Sequence, residues 1–219
     1  PTAFALPRFV EPNRDVPIPQ PRARANVNRH DVLSATMGFV ADGLFPATIA
    51  MLLVQSQRPA TAAIAAGTIL ALKRAVVVVL GPISGHAADR FGAPATSIAG
   101  FVITAAGTIL IASSNAVAGA IVFVSGAAVA ATSIPLLANG GGPSERLSSL
   151  ARLGLARDAG AAAGPLVALS LFEAIGGGLL YAVATTALLA AALIARPASS
   201  RSWLAWRPAS APERPGSTP

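Results

Sequence analysis

Ionisable side chains inside long apolar runs are the first candidates for chemistry in this sequence. Asp42 lies in one such run near Pro46, and the adjacent residues Lys73 and Arg74 lie in the next. A charge at the centre of a membrane-spanning helix costs roughly 2.5–3.5 kcal/mol, so these two cations cost about 5–7 kcal/mol. The nine Ile, Leu and Val residues between positions 64 and 80 contribute only about 3–5 kcal/mol of favourable insertion free energy. The second run therefore needs a partner charge or a wet cavity, and Asp42 is the candidate partner.

Two roles are open for these residues. Asp42 can be a proton or cation site with Lys73 or Arg74 as its counter-charge or as an anion ligand, or the charges can form a structural ion pair between helices. Adjacent helical positions project about 100° apart, so we expect one cation to line a cavity and the other to reach toward an interface. We favour the functional role because ionisable residues inside membranes usually line a pathway. Arg157 and Asp158, nearer the end of a later run, are assigned a structural or gating role.

Other patterns of catalytic or ligand-binding residues are weak. The chain has no cysteine, and His30 and His86 are far apart, so no metal site is predicted. Ser84 and His86 are too close in sequence to meet on one helix, where neighbours lie at i+3 and i+4. The glycine-rich run at 139–144 lacks the Gly-Lys-Ser/Thr ending of a phosphate-binding loop. We predict no cofactor and no enzymatic activity.

The composition indicates an integral membrane protein. Hydrophobic residues make up 53% of the chain and charged residues only 11%, against roughly 25% charged residues in a typical soluble domain. Disorder over most of the length is excluded, because disordered chains are poor in apolar residues. The net charge of +7 is concentrated at the two ends and in short connectors, which does not favour nucleic-acid binding.

Six stretches are long and apolar enough for a helix across a hydrocarbon core about 30 Å thick, which predicts an all-α fold. They are Leu33–Val54, Ala62–Gly81, Ala95–Ala112, Ala116–Ala138, Ala151–Ile175 and Leu179–Ala195. Helix-breaking residues mark the connectors Gln55–Pro59, Gly85–Pro94, Ser113–Asn115, Asn139–Pro143 and Gly176–Gly178. We therefore divide the chain into a linker or tail at 1–31, a transmembrane domain at 32–196 and a disordered tail at 197–219.

The positions of the basic residues predict the orientation of these spans. Eleven arginines lie on one side, at both ends of the chain and in the second and fourth connectors, and only Arg58 lies on the other. Because cytoplasmic segments carry an excess of Lys and Arg, both termini are expected in the cytoplasm. The expected location is the plasma membrane, which in a bacterium is the inner membrane.

The connector after the second span has the spacing Gly85-x-x-x-Asp89-Arg90-x-Gly92. Gly85 permits a close approach and Gly92 a tight turn, Asp89 can complement the N-terminal end of a neighbouring helix, and Arg90 adds a cytoplasmic anchor. The same residues would also suit an ordinary turn between two helices, which is the alternative interpretation. The pattern resembles the cytoplasmic loop signature of the major facilitator superfamily, although Ala93-Pro94 stand where basic residues are usual. The resemblance implies a loop that latches two helix bundles and releases as a transporter changes state.

A second resemblance lies in the fifth span, where Gly160, Gly164 and Pro165 are similar to the Gly-x-x-x-Gly-Pro segment in the fifth helix of a superfamily half. The two glycines leave room for a partner helix, and Pro165 removes a backbone donor and loosens the helix locally. Gly81 and Gly85 have the same four-residue spacing, so we expect a tight helix contact there as well.

A complete carrier of this superfamily has twelve spans in two related halves, and six are predicted in this chain. Residues 4–7 resemble the exit from a preceding helix, so the resemblance implies a C-terminal half whose partner is an N-terminal six-helix half, upstream in the same chain or in a separate subunit. The implied function is secondary active transport of a small solute by alternating access, as an ion- or proton-coupled symporter or antiporter. A non-transporting membrane scaffold on the same helices is the alternative. Sugars, drugs, organic anions, amino acids and metal complexes all remain possible solutes.

Overall fold

The structure is a computed structural model that describes residues 27–56, 58–138 and 143–196, and these residues form helices and short turns. The helices are α1 (Arg29–Met37), a π-helical segment (Gly38–Leu44), α2 (Phe45–Ser56), α3 (Pro59–Phe91), α4 (Ala93–Ala112), α5 (Ala116–Leu137) and α6 (Pro143–Ile194). The predicted tails before residue 27 and after residue 196, and residues 139–142 of the fourth connector, lie outside the described residues.

Among the described residues, five helical stretches are long and apolar enough to cross a membrane by length and composition. They are Arg29–Gln55, Pro59–Phe91, Ala93–Ala112, Ala116–Leu137 and Glu145–Ile194. The first is continuous because α1, the π-helical segment and α2 follow one another without a break. The all-α class is confirmed, and the helices are those expected of a membrane protein. The predicted fifth and sixth spans together form the fifth stretch.

The fifth stretch, α6, folds back on itself at Gly176, whose backbone angles are φ 78° and ψ 159°. Positive φ of this size favours glycine, because a side chain there is strained. Contacts with the first stretch follow the reversal: Gly164 lies against Gly43, Gly177 lies against Leu52, and the Tyr181 hydroxyl is 2.9 Å from the Thr48 hydroxyl. The two arms of α6 therefore run in opposite directions beside α1 and α2.

The predicted loop after the second span is wrong over most of its length. Helix α3 continues through Pro82 and Gly85 to Phe91, and only Gly92, with φ 88°, makes the expected turn into α4. Proline and glycine are tolerated inside membrane helices because neighbouring groups can satisfy the freed backbone atoms. The connector Gly176–Gly178 is likewise reduced to one non-helical residue, whereas the Ser113–Asn115 connector is confirmed.

Small residues let the helices approach to backbone contact. A methyl group added at Gly107 would lie 2.4 Å from the backbone nitrogen of Phe123, and one added at Gly126 would lie 2.3 Å from that of Thr104. These glycines join α4 to α5, and Phe123 of the same interface stacks on Phe45 with ring centroids 4.3 Å apart. Such distances leave no space for side chains between the helices.

The tight contact expected at the second glycine pair is absent from the described residues. A methyl group at Gly85 would meet no atom within 4 Å, and one at Gly81 would reach only the Thr132 side chain at 3.8 Å. Helix α3 is also the least covered of the five stretches, with 17% of its apolar window buried against 44–56% for the others. The spacing of the two glycines is therefore not used for packing, because α3 lies along one side of the bundle.

Candidate functional site

The carboxylate of Asp42 holds two cations from two other helices. Lys73 of α3 places its Nζ 2.8 Å from Oδ1, and Arg157 of α6 places its Nε 2.7 Å from Oδ2. The Lys73 side chain is 10% exposed and that of Asp42 is 20% exposed, so water screens the first pair only weakly. Both carboxylate oxygens thus accept charge-assisted hydrogen bonds, which are stronger than hydrogen bonds between neutral groups.

The π-helical segment gives Lys73 a further acceptor. The Phe45 N–H donates to the Val40 carbonyl, five residues back, and in that register the carbonyl of Ala41 would need a donor at Pro46. Proline has no N–H, so this carbonyl is open to an outside donor. The Lys73 Nζ donates to it as well as to Asp42. The local distortion of the helix therefore supplies half of the lysine site.

Close packing of α6 on α1 positions Arg157. A methyl group at Gly38 would lie 2.0 Å from the Arg157 carbonyl oxygen, and one at Gly160 would lie 2.2 Å from the Ala35 carbonyl oxygen. Gly43 faces Gly164 in the same way, with Pro165 beside them. The packing predicted for Gly160, Gly164 and Pro165 is thus observed, and it brings the arginine within reach of Asp42.

These charged residues line an open cavity of about 710 Å³ between α3, α5, α6 and the π-helical segment. Arg74 and Asp158, both exposed, line it together with Asp42, Lys73 and Arg157. Three cations therefore face two carboxylates, a formal charge of +1. The remaining lining is mostly apolar and comprises Pro46, Leu70, Val77, Ala131, Thr132 and Ala161. The five charged residues proposed from the sequence within the spans therefore meet in this one cavity.

The role of Arg157 as a ligand of Asp42 was missed in the sequence, where Lys73 or Arg74 alone was the expected partner. The glycine spacing carried part of the signal, because it predicts a close helix contact around Gly160 and Gly164, and Arg157 lies one turn before Gly160. The spacing does not identify Asp42 as the partner of Arg157. Thr132 was also missed. Its hydroxyl is hydrogen-bonded to that of Ser84 at the edge of the cavity, and hydroxyl residues in apolar helices give no comparable sequence signal.

The residues of the cytoplasmic motif lie outside the cavity. Asp89 and Arg90 are exposed in the last turn of α3, about 24 Å along the helix from Lys73. The Arg90 guanidinium lies 5.5 Å from the ring centroid of Phe91, and Gly92 ends the helix. Neither Asp89 nor Arg90 forms an ion pair with another described residue.

A third ion pair joins α1 to α6 outside the cavity. Arg152 of α6 pairs with Asp31 of α1, whose carboxylate also accepts the Asn28 N–H at 2.9 Å and so caps the helix. Ser34, one turn further, donates to the Leu153 carbonyl at 2.8 Å. Within the described part of the chain no group of three His, Cys, Asp or Glu side chains could hold a metal ion.

Comparison with known proteins assigns no family to this chain. The sequence matches no protein-family model and no curated protein.

Proposed function

We propose that this chain forms one six-span half of a secondary active transporter, in which the cavity around Asp42 carries a small solute by alternating access. The observation that carries the proposal is the position of the ion-paired cluster. Asp42 lies 13 residues after Arg29, about 20 Å along a 27-residue helical stretch. Ionisable groups at this depth are costly and usually line a pathway for ions or solutes.

The cluster is also suited to coupling. Asp42 bonds side chains from α3 and α6 at once, so protonation of its carboxylate would release two cations and weaken the contact among three helices. A change of charge at one atom would then alter both the cavity and the packing around it. That is the property a proton- or cation-coupled carrier requires.

The proposed architecture follows the resemblance of the motif at Gly85–Gly92 to the major facilitator superfamily. The turn at Gly176 divides α6 into two arms, which gives six membrane passes in the proposal. The open flank of α3, with only 17% of its apolar window buried, is the face we assign to the N-terminal six-helix half. The cavity beside Lys73 would then be enclosed between the two halves.

Solute accumulation in reconstituted vesicles tests this function. The full-length polypeptide, with any partner half that co-purifies, is reconstituted, a proton gradient is imposed, and a mixture of sugars, amino acids, organic anions and drugs is supplied outside. We expect mass spectrometry of the vesicle contents to find saturable accumulation of one solute class. We expect Asp42→Asn to reduce it at least about tenfold, because removal of a coupling group acts on every transport cycle.

The matched control is Glu173→Gln, since Glu173 is an exposed carboxylate of α6 outside the cavity. This variant should accumulate solute as the parent does. Accumulation of no solute class, with intact protein in the vesicles, would contradict transport and favour a membrane scaffold.

Cysteine labelling tests the proposed orientation, in which both termini are cytoplasmic. The chain has no cysteine, so Gln55→Cys and Phe91→Cys each introduce one site at opposite ends of the α2–α3 hairpin, and both parent side chains are exposed. A membrane-impermeant maleimide should label the Gln55 variant in intact cells and the Phe91 variant only in inverted vesicles. The reverse pattern would refute the orientation.

A further inference from the structure

We propose that the cavity binds a small organic monoanion and that Arg74 is the residue that selects its charge. The inference rests on the proposed function and names the class of its solute. Among the five charged side chains that line the cavity, three are cations and two are carboxylates. A solute with one negative charge would bring the formal charge of the filled cavity to zero.

The use of each donor shows which groups are free to bind this anion. Lys73 is committed to Asp42 and to the Ala41 carbonyl. Arg157 uses its Nε for Asp42, and its two terminal nitrogens have no acceptor among the described residues. Arg74 forms no hydrogen bond or ion pair with any described residue, and its side chain is exposed at the cavity. Two guanidinium groups therefore present unused N–H donors to one space.

The chemistry of guanidinium favours a carboxylate or a similar planar oxyanion. Its donors form a rigid fork that matches two oxygens of one group, and the pairs it makes are frequently bidentate. Asp158, which also lines the cavity, forms no ion pair with any described residue, and its carboxylate repels a second negative charge on the solute. These features favour a monoanion over a dianion.

The apolar part of the cavity indicates the chemical character of the ligand beyond its anionic group. Leu70, Val77 and Ala131 line the same space as the charges, so a compact apolar body attached to the anionic group fits both kinds of surface. Anionic lipid headgroups are disfavoured as the occupant, because the cluster lies about 20 Å along the helix from Arg29. The expected solute is thus an aromatic or branched organic acid of low mass.

A set of three probes of similar size tests the charge preference. Benzoate, benzamide and benzylammonium share one ring and carry charges of about −1, 0 and +1 at neutral pH. The full-length protein in neutral detergent is titrated with each probe while its thermal unfolding is followed. We expect benzoate alone to raise the Tm, by on the order of 3 °C when its concentration is about ten times its Kd.

Arg74→Gln should weaken benzoate binding by about tenfold to a hundredfold, because it removes charge-assisted hydrogen bonds from the anion. Arg58→Gln is the matched control, since Arg58 is exposed at the start of α3 and does not line the cavity. We expect this control to bind benzoate with the parent affinity.

Four results would overturn the proposal. Two concern benzoate itself: no response at concentrations up to 50-fold above an expected Kd of about 1 mM, or binding to Arg74→Gln with the parent affinity. The other two are stabilisation by benzylammonium or benzamide as large as that by benzoate, and a response to anionic lipid alone. Equal stabilisation by benzylammonium or benzamide, combined with solute accumulation in vesicles, would refute the anion site but not the proposed transport. Benzoate binding that depends on Arg74, without accumulation of any solute, would refute the proposed transport but not the anion site.

Discussion

Asp42→Asn should lower the free energy of unfolding by about 3–5 kcal/mol, because it leaves the buried Lys73 ammonium without its counter-charge in a poor dielectric. Most of this cost falls on Lys73, whose side chain is 10% exposed, whereas that of Arg157 is 37% exposed and is screened by water. Denaturant titration of the purified protein in detergent micelles measures the effect. Glu173→Gln, with the same change of charge at an exposed site, should shift stability by less than about 0.5 kcal/mol.

The double variant Asp42→Asn with Lys73→Met separates the structural and functional roles of the cluster. Neutralising the lysine removes the uncompensated charge, so most of the stability should return, and a double-mutant cycle gives the coupling energy of the pair. Recovery of stability without solute accumulation would assign Asp42 to coupling or binding. Recovery of both would assign the ion pair to structure. An Asp42→Asn protein as stable as the Glu173→Gln control would contradict the central site.

Gly164→Ala should destabilise the protein by about 1–3 kcal/mol through overpacking, even though alanine is the better helix former by up to about 1 kcal/mol. The added methyl group would lie 2.6 Å from both the Gly43 Cα and the Phe39 carbonyl oxygen. Backbone atoms cannot move aside as a flexible side chain can, so α6 must shift away from the π-helical segment. The shift should also weaken benzoate binding, because Arg157 is carried on the same helix.

Gly154→Ala is the control for this effect. Gly154 lies earlier in the same helix, and a methyl group there would meet no atom within 4 Å. Helix propensity alone should then raise its stability by up to about 1 kcal/mol, a difference of about 1–4 kcal/mol between the two alanine variants. Equal stabilities in the same denaturant titration would show that the contact between α6 and the π-helical segment is not close enough to exclude a side chain.

The sequence by itself determined the class of the protein and most of its helices. Hydrophobicity and turn propensity are local properties, so the apolar stretches and the turns at Gly92, Ser113–Asn115 and Gly176 could be located without a structure. The cost of charges inside apolar helices is local as well, which is why Asp42 and Lys73 could be singled out. The predicted end of the second span at Gly81 was too early, because Pro82 and Gly85 break helices in water more readily than among packed membrane helices.

Only the tertiary structure decided which charges meet. Asp42 bonds one partner 31 residues away and another 115 residues away, and no local pattern specifies contacts at such separations. Lys73 rather than Arg74 reaches Asp42 because the two side chains point in different directions from α3, and the direction depends on how that helix packs. The open carbonyl of Ala41 arises from the π-helical register before Pro46. Arg157 joins the cluster because glycine contacts draw α6 against α1, where the distance between two backbones determines the site.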